Sequence, residues 1–170
     1  MASNNVDRAV EQVLCDQDTV KMAITDDTVQ VKIPSLARYI GVARQAVDAV
    51  GEQVRLSPDE RAAVRLAVGE ACNNAVFYAH PKPDIPVGCV VVACRVHADA
   101  LEIDVTNEGN GFHPDLGQAM PDVLAEHGRG MVLMEMLMDS VEYLSEQGNT
   151  VVRMRKRLRT PAPPETAAAL

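Results

Sequence analysis

Several features that would assign a chain to a common functional class are scarce in this sequence of 170 residues. Aromatic residues make up 3% and tryptophan is absent, so the stacking surfaces that bind single-stranded nucleic acid are poorly supplied. Basic residues number 16 against 24 acidic ones. The resulting net charge of -8 repels a phosphate backbone, and we therefore expect no direct binding to nucleic acid.

Long apolar runs are missing as well. No segment approaches the roughly 18 to 20 apolar residues of a membrane helix, and the opening stretch MASNNVDRAVEQ lacks the apolar segment of a signal peptide. The four cysteines form no CxxC pair, which disfavours a zinc site and favours small buried thiols. These absences predict a cytoplasmic protein with no membrane partner.

The apolar residues that are present follow the periods of strands and helices. They predict one α+β domain over residues 29–158, with an N-terminal extension over 1–28 and a disordered tail over 159–170. We expect a two-layer sandwich in which helices cover one face of a mixed, mostly antiparallel sheet. The predicted order is a strand (29–33), two helices (36–50 and 57–79), a hairpin (87–97 and 101–107), a helix buried on several faces (131–139) and a closing hairpin.

The helix predicted over 57–79 carries polar residues in an apolar setting, GEACNNAVFYAH. Residues three and four apart share a helix face, so we expect Glu70, Asn73 and Asn74 to lie together. Burying an amide without a partner costs roughly 2 to 7 kcal/mol. Two interpretations follow from these residues: an exposed polar stripe, or a carboxylate and an amide that hold Mg²⁺ and orient a nucleophile.

A second motif, NEGNGF, stands at the end of a predicted strand. The two-residue period places Asn107 at the end of the inward-facing row, where its amide requires a hydrogen-bond partner. Gly109 and Gly111 permit another group to approach the backbone closely. An ordinary turn explains such a GxG equally well.

A third motif, GRG, precedes the apolar run MVLMEMLMD. Free N–H groups at a helix start attract anions, and the guanidinium of Arg129 between Gly128 and Gly130 suits phosphate. A flexible hinge with a solvated arginine is the alternative.

In this order the segments EACNNA, NEGNGF and GRG resemble the anti-sigma-factor serine kinases of the GHKL ATPase superfamily. The resemblance spans residues 29–158 and implies a Bergerat-type ATP-binding fold with a lid over 112–127. It also implies a kinase that uses ATP and Mg²⁺, sequesters a sigma factor, phosphorylates a serine of an anti-anti-sigma (STAS-type) protein, and acts as a homodimer.

The same resemblance implies roles for individual residues. Glu70 would be the general base that takes the proton from the serine hydroxyl, and Asn74 would bind the Mg²⁺ that bridges the phosphates. The other positions that it implies for cofactor binding are Asn107, Gly109, Gly111, Gly128, Arg129 and Gly130.

Asn107 departs from the family pattern, which has an aspartate that accepts a hydrogen bond from the adenine amino group. Bonds to charged groups are worth about 1.5 to 3 kcal/mol against about 0.5 to 1.5 for neutral ones, so we expect ATP to bind roughly tenfold more weakly. Because an amide also donates, Asn107 could instead face the O6 and N1–H edge of guanine.

Two other functional classes remain open at this point. One is a partner-switching module of the same fold that captures its targets with weak or no ATP binding and transfers no phosphate. The other is the catalytic domain of a histidine kinase, which the short stretch before residue 29 disfavours.

Overall fold

Six strands and three helices form the part of the chain that the computed structural model describes, residues 20–25, 28–78, 88–108, 126–146 and 149–158. The strands are β1 (Lys21–Thr25), β2 (Thr28–Pro34), β3 (Cys89–Val96), β4 (Ala100–Glu108), β5 (Ser140–Glu146) and β6 (Asn149–Arg157). The helices are α1 (Ile40–Gln53), α2 (Pro58–Tyr78) and α3 (Glu126–Leu137).

The strands form a single sheet in the order β1-β2-β3-β4-β6-β5. Every neighbouring pair is antiparallel, so the described sheet contains no parallel component. Both predicted hairpins are present, β3 with β4 and β5 with β6. The α+β sandwich expected from the sequence is therefore confirmed.

The sheet reaches further towards the N-terminus than the sequence predicted. Residues within the expected extension form β1, in which Lys21 pairs with Lys32 and Thr25 pairs with Thr28. The segment KMAIT is too short for a clear periodic signal, and its strand conformation depends on the β2 edge beside it. The rest of the extension, residues 1–19, and the predicted tail, 159–170, lie outside the described residues.

Local capping chemistry positions α2, the helix that carries the predicted polar group. The N–H of Ser57 donates to Glu60 Oε2 at 2.8 Å, and the N–H of Glu60 donates to Ser57 Oγ at 3.3 Å. This reciprocal pair forms a capping box. The preceding helix begins at Ile40 rather than at residue 36, because a short 3₁₀ turn, Ala37–Tyr39, comes first.

The hydrophobic core lies between the sheet and the helices. Its fully buried side chains come from alternate strand positions and from single helix faces. They include Ile33, Val92, Leu101, Ile103 and Met154 from the sheet, Val47 from α1, Val68 from α2 and Met134 from α3.

The cysteine prediction is correct at two described positions and wrong at a third. Cys72 and Cys94 are buried free thiols, and burial raises the pKa of each to about 12. Cys89 is also buried but takes part in a disulfide bond. None of the described helices is both long and apolar enough to span a membrane.

The last helix is less buried than its composition predicted. Met134 is fully buried, but 78% of Met136 and 38% of Val132 are exposed. The reason is that α3 packs against α2 on one side and leaves its other side to solvent. The expectation of a helix buried on several faces is therefore wrong.

The sheet face opposite the core carries an ion-pair network around Asp104. Arg153 donates to the two carboxylate oxygens of Asp104, each at 2.8 Å, and Arg95 donates to Oδ2. Burial opposes ionisation of Asp104, but these hydrogen bonds outweigh it and lower the pKa of the carboxyl group. Arg153 is thus held by a buried carboxylate.

The lowered pKa gives a prediction about acid stability. A depressed folded-state pKa stabilises the protein above the unfolded value of about 3.9, and this contribution is lost as the pH falls through the folded-state pKa. We expect Asp104→Asn to lower the free energy of unfolding at pH 7 by about 1.5 to 3 kcal/mol, measured by urea denaturation. The loss should shrink below about pH 4, and the exposed control Glu142→Gln should stay within about 0.5 kcal/mol of wild type. An equal loss at pH 3 and pH 7 would contradict the assignment.

Candidate active site

A recess opens between α2 and the inner face of the sheet, near the end of β4. We call it the helix–sheet recess. Its walls are small or apolar on most sides, with a few polar groups among them. It is lined by Ala71, Asn74 and Ala75 of α2, Val105 and Asn107 of β4, Tyr143 of β5, and Thr150 and Val152 of β6.

Asn107 places a buried amide in this recess. It lies between Val90 of β3 and Thr150 of β6, and only 2% of it is exposed. Neither its Oδ1 nor its Nδ2 has a hydrogen-bond partner among the described residues. A buried unpaired polar group costs about 1 to 3 kcal/mol and is rare in native proteins, so this amide needs a partner that the described residues do not supply.

Tyr143 provides a second buried group without a partner. Its hydroxyl makes no hydrogen bond within the described part of the chain. Burial, with a contribution from the charge of Glu135, raises the pKa of Tyr143 to about 12, so the hydroxyl is protonated at neutral pH. Among the described residues, three of the five buried side-chain atoms without a hydrogen-bond partner belong to Asn107 and Tyr143, and both residues line the recess.

Sequence analysis missed Tyr143. Within the segment VEYL, Tyr143 has the pattern of an ordinary inward-facing strand residue. The order of the sheet brings β5 beside β6, and only then does Tyr143 reach the same recess as Asn107. A tyrosine at an inward strand position is a weak signal by itself, because most such residues are core.

The polar trio predicted on α2 separates into two groups. Asn74 lines the recess and Glu70 is half-buried one turn before it, whereas Asn73 is exposed. Successive helix positions are about 100° apart, because a turn contains about 3.6 residues. Asn74 lies about 40° from Glu70 around the helix and Asn73 about 60° on the other side. Glu70 and Asn74 are half-buried, whereas Asn73 faces solvent, so the expected trio holds for two of its three members.

Gly130 of α3 lies directly against Glu70 and Asn74. A methyl group built on Gly130 would come within 3.0 Å of Glu70 Oε2 and 3.8 Å of both polar atoms of the Asn74 amide. The structure thus brings the EACNNA and GRG segments together, as the candidate site requires. Glycine at position 130 leaves space beside the carboxylate and the amide.

The sequence predicted that the GRG segment precedes the helix, but the segment lies within the helix. The helix α3 begins at Glu126, so Gly128, Arg129 and Gly130 are already helical. The N–H groups of Gly128 and Arg129 still fall among the first four of the helix, which lack helical partners, and the Arg129 side chain is exposed. Gly109, Gly111 and most of the predicted lid lie outside the described residues.

The side chains of Glu70 and Asn74 suit Mg²⁺ better than they suit a metal ion whose ligands all come from the protein. The described residues contain no cluster of three or more His, Cys, Asp or Glu that could hold an ion. Glu70 and Asn74 offer hard oxygen donors beside the side-chain-free position 130. Mg²⁺ takes one or two such protein ligands and completes its shell with water and substrate phosphates.

Comparison with known proteins identifies the family. The profile of the histidine kinase-like ATPase domain matches residues 33–156. The chain belongs to this family. The matched range runs from β2 to the end of β6 and contains Glu70, Asn74, Asn107 and Gly130.

Within this family the chain is similar to RsbW serine-protein kinases. The protein from Bacillus pumilus is 37% identical over 136 residues, which cover 75% of this chain and 84% of that protein. The Bacillus subtilis protein is 35% identical over 134 residues, covering 74% and 82%. A histidine kinase domain from the blue-light-activated kinase of Erythrobacter litoralis EL346 matches at 17% identity and a TM-score of 0.47, over 80% of this chain and 70% of that one. The similarity to the RsbW kinases confirms the resemblance to serine kinases that the motifs of the sequence indicated.

The contact at Gly130 gives a prediction with a matched control. Gly130→Ala should push Glu70 and Asn74 out of place and weaken Mg-ATP binding by about tenfold or more, equivalent to about 1.4 kcal/mol, measured by calorimetric titration. Gly41 of α1 is helical too, but a methyl group there meets nothing within 4 Å. Gly41→Ala should keep the affinity for ATP and stabilise the fold by about 0.5 to 1 kcal/mol. Equal ATP affinity in both variants would argue against a site at Gly130.

Proposed function

We propose that this chain is a protein serine kinase that uses ATP and Mg²⁺. The single observation that carries the proposal is the meeting of Glu70 and Asn74 at the side-chain-free position 130, beside a recess whose buried amide has no partner. The family match supports ATP as the nucleotide. The names of its relatives, serine-protein kinases, support serine as the acceptor.

In this proposal the helix–sheet recess holds the base of ATP, with Asn107 as its contact. Asn74 Oδ1 is a ligand of the Mg²⁺, whose chemistry is to neutralise the charge that develops on the phosphates. The N–H groups of the first turn of α3, which lack helical partners, precede Gly130 in the chain and are proposed to bind an anionic group. Gly109, Gly111, Gly128, Arg129 and Gly130 are proposed to shape the nucleotide pocket around the phosphates.

Glu70 is proposed as the general base. Its carboxylate accepts the proton of the serine hydroxyl as the serine oxygen bonds to the γ-phosphorus, and the bond from that phosphorus to the bridging oxygen breaks to release ADP. Phosphoryl transfer depends on positioning and charge neutralisation more than on covalent help from the protein. A half-buried carboxylate one helical turn from the metal ligand fits this requirement.

The proposed partners follow from the likeness to anti-sigma-factor kinases. They are a sigma factor that the chain sequesters and a STAS-type anti-anti-sigma protein that carries the acceptor serine, with the chain acting as a cytoplasmic homodimer. The net charge of -8 favours basic or neutral protein surfaces over nucleic acid.

The neutral Asn107 favours a second candidate function, a partner-switching module of the same fold without catalysis. An amide forms a weaker bond to a base amino group than a carboxylate does. Weak nucleotide binding would leave the capture of target proteins as the remaining activity.

Substitutions on α2 test the catalytic proposal. Glu70→Gln should lower phosphorylation by about 10²- to 10⁴-fold while ATP binding is kept, because only the proton acceptor is lost. Asn74→Ala should abolish the Mg²⁺-dependent part of ATP binding. The measurements are transfer of radiolabelled γ-phosphate to a panel of anti-anti-sigma proteins, and calorimetry with and without Mg²⁺.

The exposed neighbour Asn73 provides the control, since Asn73→Ala changes a residue on the same helix that faces solvent. It should phosphorylate at the wild-type rate. If wild type labels none of these proteins yet retains tight sigma-factor binding, the non-catalytic module is the correct function.

A further inference from the structure

The polar groups that face the helix–sheet recess from the sheet carry no formal charge. Asn107 contributes an amide, with one acceptor oxygen and a donor nitrogen, and Tyr143 a hydroxyl that both donates and accepts. An ionised carboxylate would only accept. The recess can therefore offer either kind of hydrogen bond at either group.

The two residues lie on opposite sides of β6. Asn107 is opposite Thr150, and Tyr143 is opposite Val152. Two strand spacings separate their strands by about 10 Å, and the two-residue offset adds about 7 Å along the sheet. Thr150 and Val152 of β6 lie between them in the sheet and line the same recess.

No internal hydrogen bond within the described residues fixes the direction of either group. An amide held by protein partners presents one polarity to a ligand. The Asn107 amide can instead turn over, exchanging Oδ1 and Nδ2, without breaking a bond to a described residue. The Tyr143 hydroxyl, which stays protonated at neutral pH, can likewise rotate between donating and accepting.

We propose that Asn107 and Tyr143 make this site accept guanine as well as adenine nucleotides, with Tyr143 as a specificity-determining residue. The proposal rests on the proposed function, in which the recess holds the base of a nucleotide. Adenine presents its amino group beside the N1 acceptor, and guanine presents the O6 acceptor beside N1–H. These edges have opposite polarity, and one amide pairs with either of them by turning over.

An aspartate at this position would discriminate between the two bases. It would accept from the adenine amino group through a charge-assisted bond and would face guanine O6 with like partial charge. The neutral amide lowers the affinity for ATP and removes the penalty against GTP. The change at position 107 is therefore a change in selectivity as well as in affinity.

The test is a competition experiment on the full chain with Mg²⁺. An ATP analogue that is fluorescent through its ribose is displaced by unlabelled ATP, GTP or CTP. We expect the affinities for ATP and GTP to lie within about tenfold of each other, with CTP much weaker. In Asn107→Asp, ATP should bind about tenfold more tightly and GTP at least tenfold more weakly.

Tyr143→Phe tests the second group while keeping the ring that packs in the recess. The substitution should lower the affinity for the better-bound purine nucleotide by about 2- to 10-fold and change the ratio of ATP to GTP affinity. The thermal unfolding midpoint should be unchanged or raised. A structural role alone would leave this ratio unaltered. An unchanged ratio in this variant would remove Tyr143 from the proposal.

The outcomes distinguish this proposal from the proposed function. If ATP displaces the analogue and GTP does not, the recess selects adenine and the proposal is wrong. Equal displacement by ATP, GTP and CTP would show that the triphosphate carries the binding, which also overturns it. If neither the analogue nor ATP binds, the proposed kinase function itself fails.

Discussion

The closeness of α3 to α2 at Gly130 is the contact on which the candidate site depends. Position 130 is buried and has no side chain, so the backbone of α3 lies against the carboxylate of Glu70 and the amide of Asn74. A larger residue would fill the space where a metal ion and phosphates are proposed to lie. The same approach places the start of a helix dipole beside these groups. The absence of a side chain at position 130 therefore determines whether Glu70 and Asn74 are available to a ligand or are covered by a residue of α3.

Strand β4 shows how the protein treats buried polar groups in two different ways. Asp104 and Asn107 are both buried, on opposite faces of the same strand. Asp104 meets two arginines, which satisfy its carboxylate, whereas Asn107 meets no described partner. The carboxylate of Asp104 is thus satisfied internally, whereas the amide of Asn107 on the other face needs a partner that the described residues do not supply.

The recess on the sheet presents uncharged polar groups, the amide of Asn107 and the hydroxyl of Tyr143. The relatives of this chain are named serine-protein kinases, and the groups near Gly130 fit phosphoryl transfer. The residues proposed to select the base, Asn107 and Tyr143, lie on the sheet and not on the helices. Changes at the sheet can therefore alter which nucleotide is bound without altering the groups proposed to transfer phosphate.

Short-range chemistry made much of the fold predictable. The capping box at Ser57 and Glu60 marked the start of α2 because its partners are three residues apart, and strict alternation marked the hairpins. Where the outcome depended on distant neighbours, prediction failed. The strand β1 depends on the edge of β2, and the exposure of Met136 depends on α3 packing on one side only.

The candidate site divides in the same way. The sequence by itself determined the α+β class, the inward direction of Asn107 and the shared helix face of Glu70 and Asn74, because strand and helix periods are local properties of the backbone. Only the tertiary structure decided that Gly130 abuts this pair, that Asn73 is exposed, and that Tyr143 joins Asn107 in one recess. Those relations require the strand order and the packing of α3 on α2, which bring together residues far apart in the chain.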